Sequence, residues 1–102
     1  MTMSSGTDDI LKALANPVRR KILSALKAPA QNFPGQLHPY EWGVCANRIE
    51  ATCGLAQSTI SAHLAALTQA GLLTSSKIGQ WVFYARNEPA IAAFLTQISE
   101  DL

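Results

Sequence analysis

The chain has 102 residues, 48% of them hydrophobic and 15% charged, with a formal net charge of +1. This is chain enough for one domain spanning 1–102, too apolar for a disordered protein, and without an apolar run long enough to cross a bilayer. The opening MTMSSGTDD lacks the basic start and apolar stretch of a signal peptide, so the expected location is cytoplasmic, where thiols stay reduced.

Thr7 stands as the N-cap of a first helix, with Asp8 and Asp9 in the first turn, where the helix dipole favours anions. Ile10, Leu11 and Leu14 follow at helical spacing. Asn16-Pro17 restarts the chain, Asn as cap and Pro at the first helical position. Val18, Ile22, Leu23 and Leu26 form the stripe of a second helix, with Lys27 in its last turn.

Residues 28–42, APAQNFPGQLHPYEW, interrupt this periodicity. Pro29, Pro34 and Pro39 forbid a continuous helix. Phe33, Tyr40 and Trp42 make the insert too apolar for a free linker. Two readings stay open: the aromatics fill gaps in the core, or the insert offers a surface to a ligand or partner.

A short helix is expected over 45–53 with Ile49 inward, stopped by Gly54. The next spans 57–70, with Gly71 as its left-handed cap. Residues 72–78 and 80–86 read as two strands around Gly79, with Trp81, Phe83 and Ala85 alternating against Val82, Tyr84 and Arg86. Glu88 leads a last helix through Asp101, with Pro89 in its first turn. The fold class is mainly α with a small β-hairpin, in the order of a winged helix-turn-helix.

Charge is unevenly spread. No Asp or Glu occurs between Glu50 and Glu88, whereas His63, Lys77 and Arg86 do; Arg19, Arg20 and Lys21 form a second basic cluster. Such a distribution suits a polyanion. On the 57–70 helix, Ile60, Leu64 and Leu67 make the buried stripe, and Ser58, Ala62, Ala65 and Gln69 fall opposite, flanked by Thr59 and Ser61. That face has no carboxylate to repel phosphate, and its small side chains permit close approach. Gln57 is suited to bidentate pairing with adenine, Ser58, Thr59 and Ser61 to base or phosphate contacts, and Ala62 to a thymine methyl. Lys77 and Gln80 flank a hairpin tip that would reach a neighbouring groove.

Three motifs in this order resemble the ArsR/SmtB family of bacterial winged-helix repressors: LANPVRRKILSAL, GLAQSTISAHLAALTQAGLL, and the wing Gly79-Gln80-Trp81-Val82-Phe83-Tyr84. The resemblance covers most of the chain outside the 28–42 insert. It implies a double-stranded DNA partner, contacted by Gln57, Ser58, Thr59, Ser61, Lys77 and Gln80. It also implies a homodimer joined through the first and last helices, by Ile10 and Leu14 together with Ile91, Phe94, Leu95 and Ile98 of an 88–102 dimerisation helix. The chain departs from the family pattern at Ala56, where members often carry a capping Ser, and at Ala62-His63, where members often carry His-His; His63 at the edge of the buried stripe reads as structural.

The family's Cys-X-Cys metal pair is reduced here to Cys45, and the last helix holds no His, so neither a metal nor another cofactor is expected. Cys45 and Cys53 are the candidate redox-sensing thiols. Eight residues apart on one helix, they are separated by about 12 Å of rise and cannot pair while that helix is intact. A small-molecule or redox effector is therefore expected ahead of a metal. No phosphate loop, paired carboxylates or Ser-His-Asp arrangement points to an enzyme. The alternative to a DNA-binding repressor is a winged-helix module that docks a protein.

Overall fold

The computed structural model describes residues 5–102. Helices α1 (Ser5–Leu14) and α2 (Pro17–Ala25) lead to a single turn α3 (Pro29–Asn32) and a 3₁₀ turn (Tyr40–Trp42). Strand β1 (Val44–Cys45), helices α4 (Ala46–Cys53) and α5 (Gln57–Gln69), strands β2 (Leu73–Ile78) and β3 (Trp81–Arg86), and helix α6 (Glu88–Asp101) complete the chain.

Local chemistry sets most of these boundaries. The Asn16 side chain accepts from the Val18 and Arg19 amides, at 2.9 and 3.3 Å, and Pro17 opens α2. Gly54 (φ 68°) ends α4 in the left-handed conformation, and Gly71 (φ 84°) follows the α5 cap Ala70. Asn87 caps α6 by accepting from the Ala90 amide at 3.3 Å. Its side-chain amide donates to the Gly71 carbonyl at 3.0 Å, and its backbone N–H donates to the Leu72 carbonyl at 2.9 Å.

In the first two helices two expected boundaries move. Helix α1 already includes Ser5, so Thr7 lies inside it and is buried rather than capping it; the residue faces the seam between α1 and α6. Helix α2 ends at Ala25, and Lys27 falls beyond the Leu26 cap, its N–H donating to the Ser24 carbonyl at 3.1 Å.

The expected hairpin is the larger part of a three-stranded antiparallel sheet in the order β1-β3-β2. Strands β2 and β3 pair from Leu73↔Arg86 to Ile78↔Trp81, leaving Gly79-Gln80 as a two-residue loop. Val44 pairs with Tyr84 and Cys45 with Phe83. Cys45 is thus a strand residue immediately before α4, not its first helical residue. Two apolar residues buried together carry no alternation, so this strand has no signature of its own in the sequence. Gly43 makes it possible: at φ 102° and ψ −170° its backbone lies so close to β3 that an added Cβ would stand 2.7 Å from the Tyr84 carbonyl oxygen.

The core gathers Ile22 and Leu23 of α2 with its cap Leu26, Ile49 of α4, Ile60, Leu64 and Leu67 of α5, and Leu72, Leu73 and Val44. Phe33 of the insert joins them at 1% exposure. The Tyr40 hydroxyl donates to the Phe33 carbonyl and accepts from the Gln36 amide. Gln36 pins the rest: its Nε2 donates to the His38 and Gly43 carbonyls, at 3.1 and 3.0 Å, and its Oε1 accepts from the Cys45 amide at 2.8 Å. The insert is therefore a fixed wall of the domain. Its first reading, aromatics filling the core, holds for Phe33 and in part for Tyr40, whereas Trp42 stays 39% exposed.

Candidate nucleic-acid interface

Helix α5 is built as a two-faced rod. Ile60, Leu64 and Leu67 are essentially solvent-free. Gln57, Ser58, Thr59, Ser61, Ala62, Ala65 and Gln69 are exposed. Four of the exposed side chains, Gln57, Ser58, Thr59 and Ser61, bring hydrogen-bonding groups to the helix start, and none brings charge. Ala56 occupies the cap position with no side-chain bond to the first turn, so backbone N–H groups there remain for an outside acceptor. The preceding turn, Gly54-Leu55-Ala56, joins α4 to α5 as the short connection of a helix-turn-helix.

The wing follows directly, because α5 packs against β2. Lys77, Ile78, Gly79 and Gln80 are all exposed at its tip. Arg86, counted from sequence among the bases of the acid-free segment, is not part of this surface. Its Nε and Nη2 hold both Glu88 carboxylate oxygens, at 2.8 and 3.1 Å, and Nη1 donates to the Leu23 carbonyl at 3.0 Å. The hydrogen bond from Arg86, aided by the charges of Arg86 and Lys27, holds the Glu88 carboxyl below the usual carboxylate range. Arg19 is likewise committed inward: its Nε donates to His63 Nδ1 at 3.1 Å, tying α2 to α5. His63 is half-buried and sits in this contact, so within the domain it has a structural partner.

Of the residues expected at a dimer interface, Ile10, Leu14, Ile91, Phe94 and Leu95 line two shallow cavities beside α6. Ile10 of α1 faces Ala90, Ala93, Phe94 and Gln97 of α6 across a shallow cavity. Leu14 lines a second one with Ile91, Phe94 and Leu95. No residue of α6 is buried, and Leu95 is 58% exposed. A helix whose apolar residues Ile91, Phe94 and Ile98 are only half-buried and whose Leu95 is exposed is unusual for a domain closed on itself.

Both cysteines are free, at the two ends of α4. Cys45 is 6% exposed. Burial pushes the Cys53 thiol up, which keeps it protonated and lowers its reactivity. Among the described residues no three His, Cys, Asp or Glu side chains converge as a metal site would require.

One feature escaped the sequence reading. The His38 ring lies against three others, with centroids 5.9 Å from Trp42, 5.3 Å from Trp81 and 5.3 Å from Phe83. The cluster fastens the insert to β3, the inner strand of the wing. The surplus of aromatics in 28–42 signalled an apolar neighbour, but nothing in the spacing identified β3 as that neighbour.

Comparison with known proteins agrees with this geometry. Residues 45–75, which hold α4, α5 and the start of β2, match the model described as "Bacterial regulatory protein, arsR family". The chain is 37% identical over 89 residues to the uncharacterized HTH-type transcriptional regulator YbzH of Bacillus subtilis, covering 81% of this chain and 85% of that one. Among solved structures, an ArsR-like transcriptional regulator from Rhodococcus sp. RHA1 superposes with a TM-score of 0.72 over 94% of this chain and 78% of that one, at 20% identity. The transcriptional regulator HlyU from Vibrio vulnificus gives 0.54 over 90% and 83%, at 30% identity.

Proposed function

Since the chain belongs to the arsR family of bacterial regulatory proteins, we propose that it is a homodimeric transcriptional repressor that holds an inverted-repeat operator with α5 and the β2–β3 wing. The observation that carries this reading is the exposed start of α5, polar and free of carboxylates, beside a wing tip bearing Lys77. Gln57 reads a base edge, while Ser58, Thr59 and Ser61 divide between bases and phosphates. Ala62 meets a thymine methyl, and Lys77 and Gln80 hold the backbone of a neighbouring groove.

A second copy covers the apolar seam of α1 and α6. The twofold pair then sets two α5 helices in successive major grooves, about 34 Å apart. Release follows from a signal that changes their spacing, shifting the population away from the DNA-competent dimer. The burial of Cys45 and the raised Cys53 thiol favour a bound small molecule over thiol oxidation as that signal.

The test is a footprint of the purified, reduced protein on the DNA upstream of its own gene, repeated across a range of salt. A protected palindrome with groove-spaced contacts, weakening steeply as salt rises, supports the repressor. Salt-insensitive capture of a protein by the same surface, without DNA protection, replaces it with the protein-docking reading.

A further inference from the structure

Beneath the insert lies a pocket of about 210 Å³ that the DNA-binding reading does not use. Its walls come from residues 35–38 of the insert, Cys45 of β1, Asn47 and Arg48 of α4, and Trp81 of β3. No Asp or Glu lines it. Arg48 has no carboxylate partner among the described residues, and one guanidinium nitrogen donates to the Pro34 carbonyl at 3.1 Å. Leu37 stands at the rim with 97% of its surface in solvent. Trp81 and His38 both line it, their ring centroids 5.3 Å apart and their planes tilted by 51°, and Trp81 supplies its largest apolar surface.

The pieces define a ligand. An unpaired guanidinium beside a carboxamide suits a carboxylate, because a guanidinium donates two parallel bonds to one. A tryptophan wall and an exposed leucine suit a planar ring. The volume is below the roughly 300–1,000 Å³ of pockets for drug-sized molecules, so the ligand is small. We propose that this pocket binds a small aromatic carboxylate, its carboxylate on Arg48 and Asn47 and its ring against Trp81. Resting on the repressor reading, one consequence follows: the occupant touches both α4, the first helix of the helix-turn-helix, and β3 of the wing, and so alters the angle between the helix-turn-helix and the wing.

Trp81 and Trp42 are the chain's two tryptophans, which makes binding directly visible. Benzoate is titrated into the full chain, without DNA, while tryptophan fluorescence is followed. A saturable change with a dissociation constant of about 0.1–1 mM is expected for so small a ligand. Benzylamine should give none, and cyclohexanecarboxylate should bind several-fold more weakly. Arg48→Gln should weaken benzoate about tenfold or more. Because that variant also removes the bond to Pro34, the ligand series on the unaltered protein decides the matter independently. No saturable response to benzoate, or equal binding of benzylamine, overturns the proposal. A footprint with and without benzoate then tests the consequence: unchanged operator affinity removes the link between pocket and wing. Since the titration contains no DNA, its failure and a failure of the repressor reading are separate results.

Discussion

Replacing Gly43 with alanine attacks the attachment of the insert to the sheet, and the structure fixes its size. At φ 102° and ψ −170° Gly43 occupies a region open essentially to glycine alone. The new Cβ would lie 2.7, 2.9 and 3.2 Å from the Tyr84 carbonyl oxygen, carbonyl carbon and amide nitrogen, all backbone atoms of the central strand. None of these can swing aside as a side-chain end would. The conformational strain is about 1–3 kcal/mol. Relief requires β1 to move off β3 at the Val44↔Tyr84 pair, at about 1 kcal/mol for each backbone bond lost. A total of about 2–4 kcal/mol corresponds to a fall in Tm of roughly 8–30 °C for a domain near this size. Gly54→Ala and Gly71→Ala are the controls, since their φ values are also positive, 68° and 84°, but an added Cβ meets nothing within 4 Å. Each should lose about 1–2 kcal/mol. Thermal and urea unfolding should be run at one fixed protein concentration, because the proposed dimerisation would make Tm concentration-dependent. If Gly43→Ala loses no more stability than Gly54→Ala, β1 is not seated against β3 as described.

Three further outcomes are expected. Gln57→Ala should cost about 1–3 kcal/mol of operator affinity and relax sequence preference, whereas Lys77→Ala should weaken all DNA similarly and flatten the salt slope by about one; binding titrations at several salt concentrations separate the two, and an unaltered Gln57→Ala protein would mean that α5 is misassigned as the reading helix. Leu95→Glu places a charge in the apolar seam and should shift sedimentation from dimer to monomer, with a loss of more than about 2 kcal/mol of association; an unchanged dimer would place the interface elsewhere. Because the Glu88 carboxyl is held below its ordinary value of 4.5 by Arg86, its stabilising effect is complete above that value and disappears as pH falls through the lowered one. The stability gap between the native chain and Glu88→Gln, followed by urea unfolding from pH 7 to pH 3, should therefore close on the acid side, and a gap that widens there would contradict the ion pair.

Much of this molecule was legible in the sequence because its signals are local. Asn16-Pro17, Gly54 and Gly71 punctuate helices through their own backbone chemistry, and the Ile60, Leu64, Leu67 spacing gives α5 its buried face without reference to any other segment. What stayed hidden depends on distant partners. Strand β1 exists because Tyr84 and Phe83 lie alongside it, forty residues away in sequence. Thr7 looked like a cap until α6 covered its side of α1. Arg86 counted as free charge until Glu88 and the Leu23 carbonyl took up its donors. The pocket around Trp81 is invisible for the same reason: its walls come from four segments brought together only by the fold.

The bonds of Asn87 have a mechanical meaning. This residue joins β3 to α6, while its amide groups grip the carbonyls of Gly71 and Leu72 just beyond α5. The far end of α5 is thereby clamped to the root of α6, and the helix becomes a lever with its fulcrum at residue 71. Thirteen residues of helix give an arm of roughly 18 Å. A tilt of about 10° at the fulcrum would carry Gln57 through roughly 3 Å, about the length of one hydrogen bond. In the proposed complex, a rotation of that size at the α6 seam would therefore be enough to lift the start of α5 out of register with a base edge.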